Sequence, residues 1–356
     1  MAKSPLIDVH MHIYETKSSG EWQKTSYEIW EYGPRPASVQ FSRSSGDLAD
    51  AERAMAAAGY DYAVSVNLFG MELTRGEAIA ALPPGLTRTP GSAHWPRSML
   101  PCRTASARST GGRATLSAGG GRILPFVALD PWAQGPEDNA AHLRDLAERH
   151  GARGVKLHPV VQRFTPNDPR LAPSYRTCVE MGLVVLAHSG TAKGSPQYAE
   201  PRAFADLARA WPDLKLIVAH LGGGSWRQTL ELATAFPQLW FDCCEIIEWT
   251  GAPNAPTTAE LARLIRDIGS HRVMLGTDFP GTTWTAPSSA SWTCPSWRAR
   301  RRSRSSAKTR RDSSASARRR APRGALSPPR GLLGRRRTAG SRRGHRHRWS
   351  RPAPRL

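Results

Sequence analysis

Cysteine is scarce and irregularly placed in this chain of 356 residues. Its five cysteines follow no regular spacing, and Cys243 and Cys244 are adjacent, which excludes a scaffold built on disulfides. No apolar run is long enough to cross a membrane, and residues 1–5 are not followed by the apolar core of a signal peptide. These absences predict a cytoplasmic protein that has no membrane partner.

Acidic side chains are almost missing from residues 282–356, which hold 22 lysines and arginines but a single acid, Asp312. The preceding 281 residues contain 28 basic and 28 acidic side chains, so the net charge of +21 belongs to the tail. A neutral body argues against a protein built around nucleic-acid binding. The tail itself allows two interpretations, a disordered basic extension or an arm that binds RNA or DNA.

A second segment, residues 87–118, also lacks acids, and it shows no helical periodicity where a barrel helix is expected. We therefore favour a third interpretation, in which both segments are out-of-frame readings of a gene that encodes ordinary helices. GC-rich back-translation in another frame gives segments with balanced charge and helical apolar spacing at both places. On this interpretation the chain as written folds poorly or is inactive, residues 282–356 are disordered, and residues 1–281 form the domain.

The rest of the chain alternates between strand-like and helix-like runs. Strands are predicted at residues 6–12, 60–69, 122–129, 154–158, 183–188, 214–220, 239–243 and 271–277. Helices are predicted at residues 47–58, 137–150, 168–181, 201–211, 225–236 and 257–268. Repeated strand–helix units indicate a parallel sheet, and eight of them predict an α/β fold, the closed (β/α)8 TIM barrel.

A polar and aromatic loop, residues 13–45, follows the first predicted strand. Either its aromatic side chains pack on the body of the protein, or the loop is a lid over the mouth of the barrel, where such loops set specificity. In the second case Trp30 is a candidate contact for the substrate.

Polar side chains gather at the predicted strand ends. In the first strand, period-two alternation places Ile7, Val9 and Met11 on one face and Asp8, His10 and His12 on the other. Other strand ends carry Lys156 and His158, His188, His220, Cys244 and Glu245, and Asp278. Active sites of such barrels lie at the carboxyl ends of the strands, and neutral imidazole is a common metal ligand. Histidines at four strand ends therefore predict a metal site.

Five motifs in chain order carry a resemblance to a known family. They are HMH at residues 10–12, GVKLHP at 154–159, AHSG at 187–190, AHLGGG at 219–224 and LGTDFP at 275–280. Together they resemble the amidohydrolase superfamily, and more narrowly its amidohydrolase-related branch, which includes aminocarboxymuconate semialdehyde decarboxylase and the resorcylate-type decarboxylases. The resemblance covers about residues 5–281.

The resemblance implies one divalent metal ion, most often zinc and alternatively manganese. It implies that His10, His12 and His188 bind this ion, that Asp278 completes the site, and that His220 is an acid/base or electrostatic residue beside it. The chemistry agrees, because imidazole ligands leave the ion a strong Lewis acid that lowers the pKa of bound water. Asp278 can then accept the proton of that water, and His220 can stabilise a developing oxyanion.

Two further features of the motifs leave alternatives open. A carboxylated lysine at Lys156 would bridge two metals in binuclear members, but the branch favours one metal, with Lys156, His158 and Glu245 as substrate contacts. The glycines after His220 form either a plain tight turn or a surface for close approach of the substrate, whose carboxylate a helix beginning at Ser225 could hold.

The predicted reaction is hydrolysis of a small amide, ester or lactone by metal-activated water. The alternative is non-oxidative decarboxylation of an aromatic or muconate-type acid, which would use the same His220 and Asp278. The predicted partner is a small-molecule substrate, and the chain could form a homodimer. A nucleic-acid-binding protein that acts through the tail is the alternative from another class.

Overall fold

The computed structural model describes residues 5–14, 16–18, 20–21, 31–37, 39–40, 42–66, 121–129, 131, 135–191 and 198–281. All of them lie in one compact unit that spans residues 1–304. The predictions for Trp30, for residues 87–118 and for the basic tail fall outside the described residues. Among the described residues no helix is long and apolar enough to cross a membrane.

Eight parallel strands form one sheet in sequential order, which confirms the predicted (β/α)8 barrel. The strands are β1 (Ile7–Met11), β2 (Tyr62–Ser65), β3 (Ile123–Ala128), β4 (Gly154–Leu157), β5 (Val184–Ala187), β6 (Lys215–Val218), β7 (Trp240–Asp242) and β8 (Val273–Met274). The last strand returns to the first, since the Val9 amide donates to the Leu275 carbonyl at 3.1 Å and the Asp278 amide donates to the His10 carbonyl at 2.8 Å.

Helices follow the strands close to the predicted positions. They are α1 (Leu48–Ala58), α2 (Pro136–His150), α3 (Pro159–Gln162), α4 (Ala172–Met181), α5 (Ala205–Ala210), α6 (Thr229–Ala235) and α7 (Thr258–Ile268). Local signals set their ends. Asp47 caps the start of α1 and Gly59, in the left-handed region, ends it. Thr257 and Glu260 form a capping box at the start of α7.

The predicted helix over residues 225–236 begins later than expected. Ala219–Gln228 form 3-10 turns in which His220 and Leu221 adopt positive φ angles of 59° and 48°, and α6 begins only at Thr229. Left-handed backbone interrupts the helical hydrogen-bond pattern. Ser225 is therefore not the start of an α-helix, and a helix dipole does not act at this position.

Apolar side chains fill two layers around the sheet. One buried cluster fills the barrel interior, because its residues lie on the strands or directly after them. It includes Val64, Val66, Phe126, Leu186 and Ile217. A larger cluster joins the outer sides of the strands to helices α2, α4, α5, α6 and α7. A third cluster packs α1 against β1, β2 and β3. The site at the carboxyl ends of the strands therefore stands on a packed core.

The first strand departs from the simple alternation predicted for it. Ile7 and Val9 pack against the interior cluster, whereas Met11 packs with Met55 of α1. The pairing register with β2 shifts between Asp8 and Met11. An irregularity of this kind redirects side chains at a strand end.

Candidate metal centre

His10, His12 and Asp278 converge where β1 meets the segment that follows β8. Asp278 Oδ1 lies 3.1 Å from His12 Nε2 and 3.3 Å from His10 Nε2. These three ligand atoms all lie within 4.8 Å of one another. The backbone fixes the arrangement, because the His12 amide donates to the Phe279 carbonyl at 2.6 Å and Asp278 has a positive φ of 54°. Two imidazole nitrogens and a carboxylate oxygen at this spacing can bind one divalent ion.

Asp242, the last residue of β7, sets the orientation of the His10 ring. Its Oδ2 lies 3.0 Å from His10 Nδ1, and both side chains are fully buried. A carboxylate that accepts the Nδ1 proton leaves the Nε2 lone pair for a metal. Burial lowers the pKa of His10 to about 3, so the ring is neutral, as a metal ligand must be. Although burial opposes it, the neighbouring His10 lowers the pKa of Asp242, which stays ionised.

Lys156 reaches the same histidine from β4. Its Nζ lies 2.8 Å from His10 Nε2, and the lysine is 1 % exposed. Burial lowers the pKa of Lys156, while the carboxylate of Asp278 acts in the opposite direction. A single buried amine therefore contacts the nitrogen that faces the proposed ion. This position suits a contact with an anionic group of a substrate.

His188, His158 and His220 form the other side of the site. The rings of His158 and His188 stack at 3.8 Å between centroids, and the centroids of His188 and His220 lie 4.8 Å apart. Burial lowers the pKa of His188 and of His158 well below the ordinary value. His188 is thus next to the site, but among the described residues it is not in any close group of three ligand atoms. Its role as a ligand stays a prediction.

His220 is held by the loop after β6 and by β7. Its amide donates to Asp242 Oδ1 at 2.8 Å, and its Nδ1 lies 3.4 Å from the Cys244 carbonyl and 3.7 Å from Glu245 Oε2. Burial lowers the pKa of His220. A neutral ring whose Nδ1 faces acceptors carries its proton on that nitrogen and leaves Nε2 unprotonated.

The charge of the site matches a divalent cation. Five acidic side chains are buried at the barrel mouth or beside it: Asp8, Glu31, Asp242, Glu245 and Asp278. Lys156 is the only buried lysine or arginine in the described part of the chain. Within that same part, Glu245 Oε2 and His12 Nδ1 are buried without a hydrogen-bond partner. Burial raises the pKa of Asp8, Glu31 and Glu245, whereas neighbouring histidines lower the pKa of Asp242 and Asp278 although burial opposes this. Two buried carboxylates beside neutral imidazoles are an arrangement that a bound divalent ion stabilises, so these residues fit the ion.

The comparison with known families agrees with this geometry. A model of the amidohydrolase family matches residues 7–295. The chain belongs to the amidohydrolase family. It is accordingly an enzyme of that superfamily, as the five motifs predicted. No curated relative matches the chain by sequence.

Several solved structures resemble this amidohydrolase. An uncharacterised TIM-barrel protein from Bordetella bronchiseptica is 18 % identical, with a TM-score of 0.51 over 78 % of this chain and 86 % of that chain. A probable 2-pyrone-4,6-dicarboxylic acid hydrolase from Acinetobacter baumannii is 14 % identical, with a TM-score of 0.45 over 78 % and 85 %. A 5-carboxyvanillate decarboxylase from Novosphingobium aromaticivorans, complexed with manganese, is 14 % identical, with a TM-score of 0.47 over 78 % and 87 %. The first of these supports the barrel fold.

Glu31 is a residue of the amidohydrolase site that the sequence did not single out. Its Oε2 accepts a hydrogen bond from the Thr191 amide at 3.1 Å and a longer one from the Gly224 amide at 3.5 Å. A Cβ at Gly190 or Gly223 would collide with this carboxyl group. Burial raises the pKa of Glu31 to about 8. The glycines thus leave space for the carboxyl group of Glu31, whereas the sequence had suggested that they leave space for the substrate.

No role in the site was predicted from the sequence for Asp242 or for Cys244. Cys244 Sγ lies 3.0 Å from His10 Nδ1, 3.2 Å from His220 Nδ1 and 2.9 Å from Asp242 Oδ1. The position of both residues at or just after the end of β7 was a usable signal, since the strand-end residues His10, His220 and Asp278 also reach the site. Glu245, a predicted substrate contact, lies beside His220 and is buried.

Proposed function

We propose that this amidohydrolase hydrolyses a small amide, ester or lactone with the help of one divalent metal ion. The observation that carries the proposal is the contact of one carboxylate oxygen, Asp278 Oδ1, with the Nε2 atoms of both His10 and His12. Such a carboxylate can hold the ion and also receive a proton from an attacking water. The substrate is a small molecule that enters at the carboxyl ends of the strands.

His10, His12 and Asp278 would hold the ion, with His188 as a further ligand. Imidazole-rich sites suit zinc, which we propose first, and the carboxylate also allows manganese. When bound, the ion polarises the scissile carbonyl group and lowers the pKa of the attacking water. Asp242 keeps the His10 ring in the tautomer that binding requires, through the 3.0 Å contact at Nδ1.

His220 and Lys156 complete the proposed mechanism. The Nδ1 atom of His220 faces Cys244 and Glu245, so its Nε2 is the edge left for the substrate. Asp278 takes the proton of the attacking water and transfers it to the unprotonated Nε2 of His220. The resulting imidazolium stabilises the developing oxyanion and then gives this proton to the leaving group. The buried amine of Lys156 lies next to His10 and offers a hydrogen-bond donor to an oxyanion or a carboxylate of the substrate.

Decarboxylation is the second candidate, and the same lysine favours it. Buried amines bind carboxylates strongly because water does not compete for them. Lys156 could orient a substrate carboxylate in the site, and His220 or Asp278 would take a proton from water and pass it to the carbon from which carbon dioxide leaves.

Parallel assays separate the two reactions. The enzyme is incubated with hydroxybenzoates and with small amides, esters and lactones, while carbon dioxide release and hydrolysis are followed together. Hydrolysis of a neutral substrate that His220→Ala lowers at least a hundredfold, with metal content retained, supports the first proposal. Carbon dioxide release without hydrolysis contradicts it and supports the second. Loss of the metal in His220→Ala, to the same extent as in His188→Ala, would make His220 a ligand.

A further inference from the structure

A second group of metal-ligating atoms lies on the opposite edge of the His10 ring. Cys244 Sγ is 3.0 Å from His10 Nδ1 and 3.2 Å from His220 Nδ1, and the three atoms lie within 4.8 Å of one another. All three residues are buried, at 2 % exposure or less. The site described above uses Nε2 of His10, so this group is distinct from it although the two share one ring.

The spacing of these atoms is close to that of a bound metal. In tetrahedral zinc sites the metal–sulfur distance is about 2.3 Å and the metal–nitrogen distance about 2.0–2.1 Å, so sulfur and nitrogen lie about 3.6 Å apart. Cys244 and the two imidazoles would need to separate by only about half an ångström. Asp242 Oδ1, 2.9 Å from Cys244 Sγ, is available as an oxygen ligand.

An unpartnered carboxyl oxygen lies beside the same group. Glu245 Oε2 is buried without a hydrogen-bond partner among the described residues, and it lies 3.7 Å from His220 Nδ1. Glu245 itself is 2 % exposed. A buried carboxyl oxygen without a hydrogen-bond partner is unfavourable, and a nearby cation would offset this.

We propose that Cys244, His10 and His220 form a second metal site, specific for thiophilic divalent ions such as cadmium or zinc in excess. Sulfur ligands select such ions over magnesium, calcium and manganese. Binding breaks the S–H bond of Cys244 and the Nδ1–H bond of His10, and His220 moves its proton to Nε2, so two protons leave per ion. The His10 ring then lies between two ions. The site needs no assumption about whether the enzyme hydrolyses or decarboxylates.

Occupation of this site has a consequence for activity. The ion would take the Nδ1 atom of His10 away from Asp242 and would hold His220 through Nδ1. Both histidines would lose the orientation on which the proposed reaction depends. An ion at Cys244 therefore inhibits the enzyme.

Cadmium titration tests the site directly. The parent protein is the full chain with Cys102 and Cys294, which lie outside the described residues, changed to serine and with one equivalent of zinc bound. Cadmium should add a second equivalent, an ultraviolet thiolate-to-cadmium charge-transfer band, and about two released protons per ion in weak buffer. Cys244→Ser should abolish the band and weaken this binding at least tenfold.

Cys243→Ser is the matched control. Cys243 is adjacent and also buried, but its Sγ donates to the Met274 carbonyl at 3.3 Å, so the band should persist in this variant. A measurement on the parent alone does not depend on how the variants fold: the cadmium-113 resonance of the second ion should have the shift of a site with one sulfur ligand. Nitrogen–oxygen coordination only, no second equivalent, or a band that survives Cys244→Ser would each overturn the proposal.

Discussion

Asp242 lies at the end of β7 and accepts hydrogen bonds from three neighbours. Its Oδ2 lies 3.0 Å from His10 Nδ1. Its Oδ1 accepts hydrogen bonds from the His220 amide at 2.8 Å and from the Cys244 thiol at 2.9 Å. One residue therefore orients a proposed ligand, the proposed acid/base histidine and the only described thiol at the site. The geometry of the centre depends on it although it is not a proposed ligand for the first ion.

Asp242→Asn should lower the affinity for the metal by about 10–100-fold, because removal of a carboxylate that orients a histidine ligand has effects of this size. The amide would also present a donor to neighbours that now donate to Asp242. Competition with a chelator measures the affinity. Asp206→Asn is the matched control, because the Asp206 side chain is exposed on α5 and pairs with Arg209. An unchanged affinity in folded Asp242→Asn protein would show that His10 needs no such partner.

Local sequence patterns identified some residues of the site and missed others. His10, His12 and Asp278 were found because strand ends are visible in the sequence and meet at one end of a barrel. Glu31 was not, because its partners Thr191 and Gly224 are 160 and 193 residues away in the chain. No periodicity links residues so far apart.

Among the elements, the loop after β6 departs most from its prediction. Helical spacing of apolar residues suggested a helix from residue 225, but α6 begins at Thr229. The left-handed angles of His220 and Leu221 and the conformation of Gly223, with φ 51° and ψ −131°, precede it. Apolar spacing carries no information about φ, whereas the lengths of α2 and α7 followed from spacing and from capping residues.

Gly223→Ala should lower the free energy of unfolding by about 1–3 kcal/mol, since its Cβ would lie 2.3 Å from Glu31 Oε2. In a Glu31→Ala background the same change should cost less, because only the backbone strain remains. Urea unfolding followed by tryptophan fluorescence measures both. Gly251→Ala is the control, with φ +88° and nothing within 4 Å of the added Cβ. Equal costs with and without Glu31 would refute a contact between the two residues.

For the whole molecule, the order of eight strands could be read from the sequence because each strand has its own apolar run and most of them end in polar side chains. The eight strands of the structure lie in that order. The contrast between a neutral body and a basic tail was equally visible. Sequence could not reveal the second group of ligands around Cys244, because that group depends on the tilt of two imidazole rings.

The reading frame of the gene leads to a prediction about the whole protein. We expect resequencing to show that residues 87–118 and 282–356 are translated out of frame, because both lack the acids and the apolar spacing of barrel helices. The restored chain should unfold at a higher urea concentration than the chain as written, since helices that cover the barrel bury apolar surface at about 25 cal/mol per Å². DNA that confirms the written frame, together with a soluble and active protein, would refute this expectation.

Metal content shows whether His10 and His12 bind the proposed ion. The purified protein should contain about one equivalent of a divalent ion, and His10→Ala combined with His12→Ala should abolish it, because two of the proposed ligands are removed. His150→Ala combined with His271→Ala, two histidines away from the site, should retain the full equivalent. Elemental analysis after dialysis against metal-free buffer gives the number. A full equivalent of metal in the folded His10 and His12 double variant would contradict the site proposed for this enzyme.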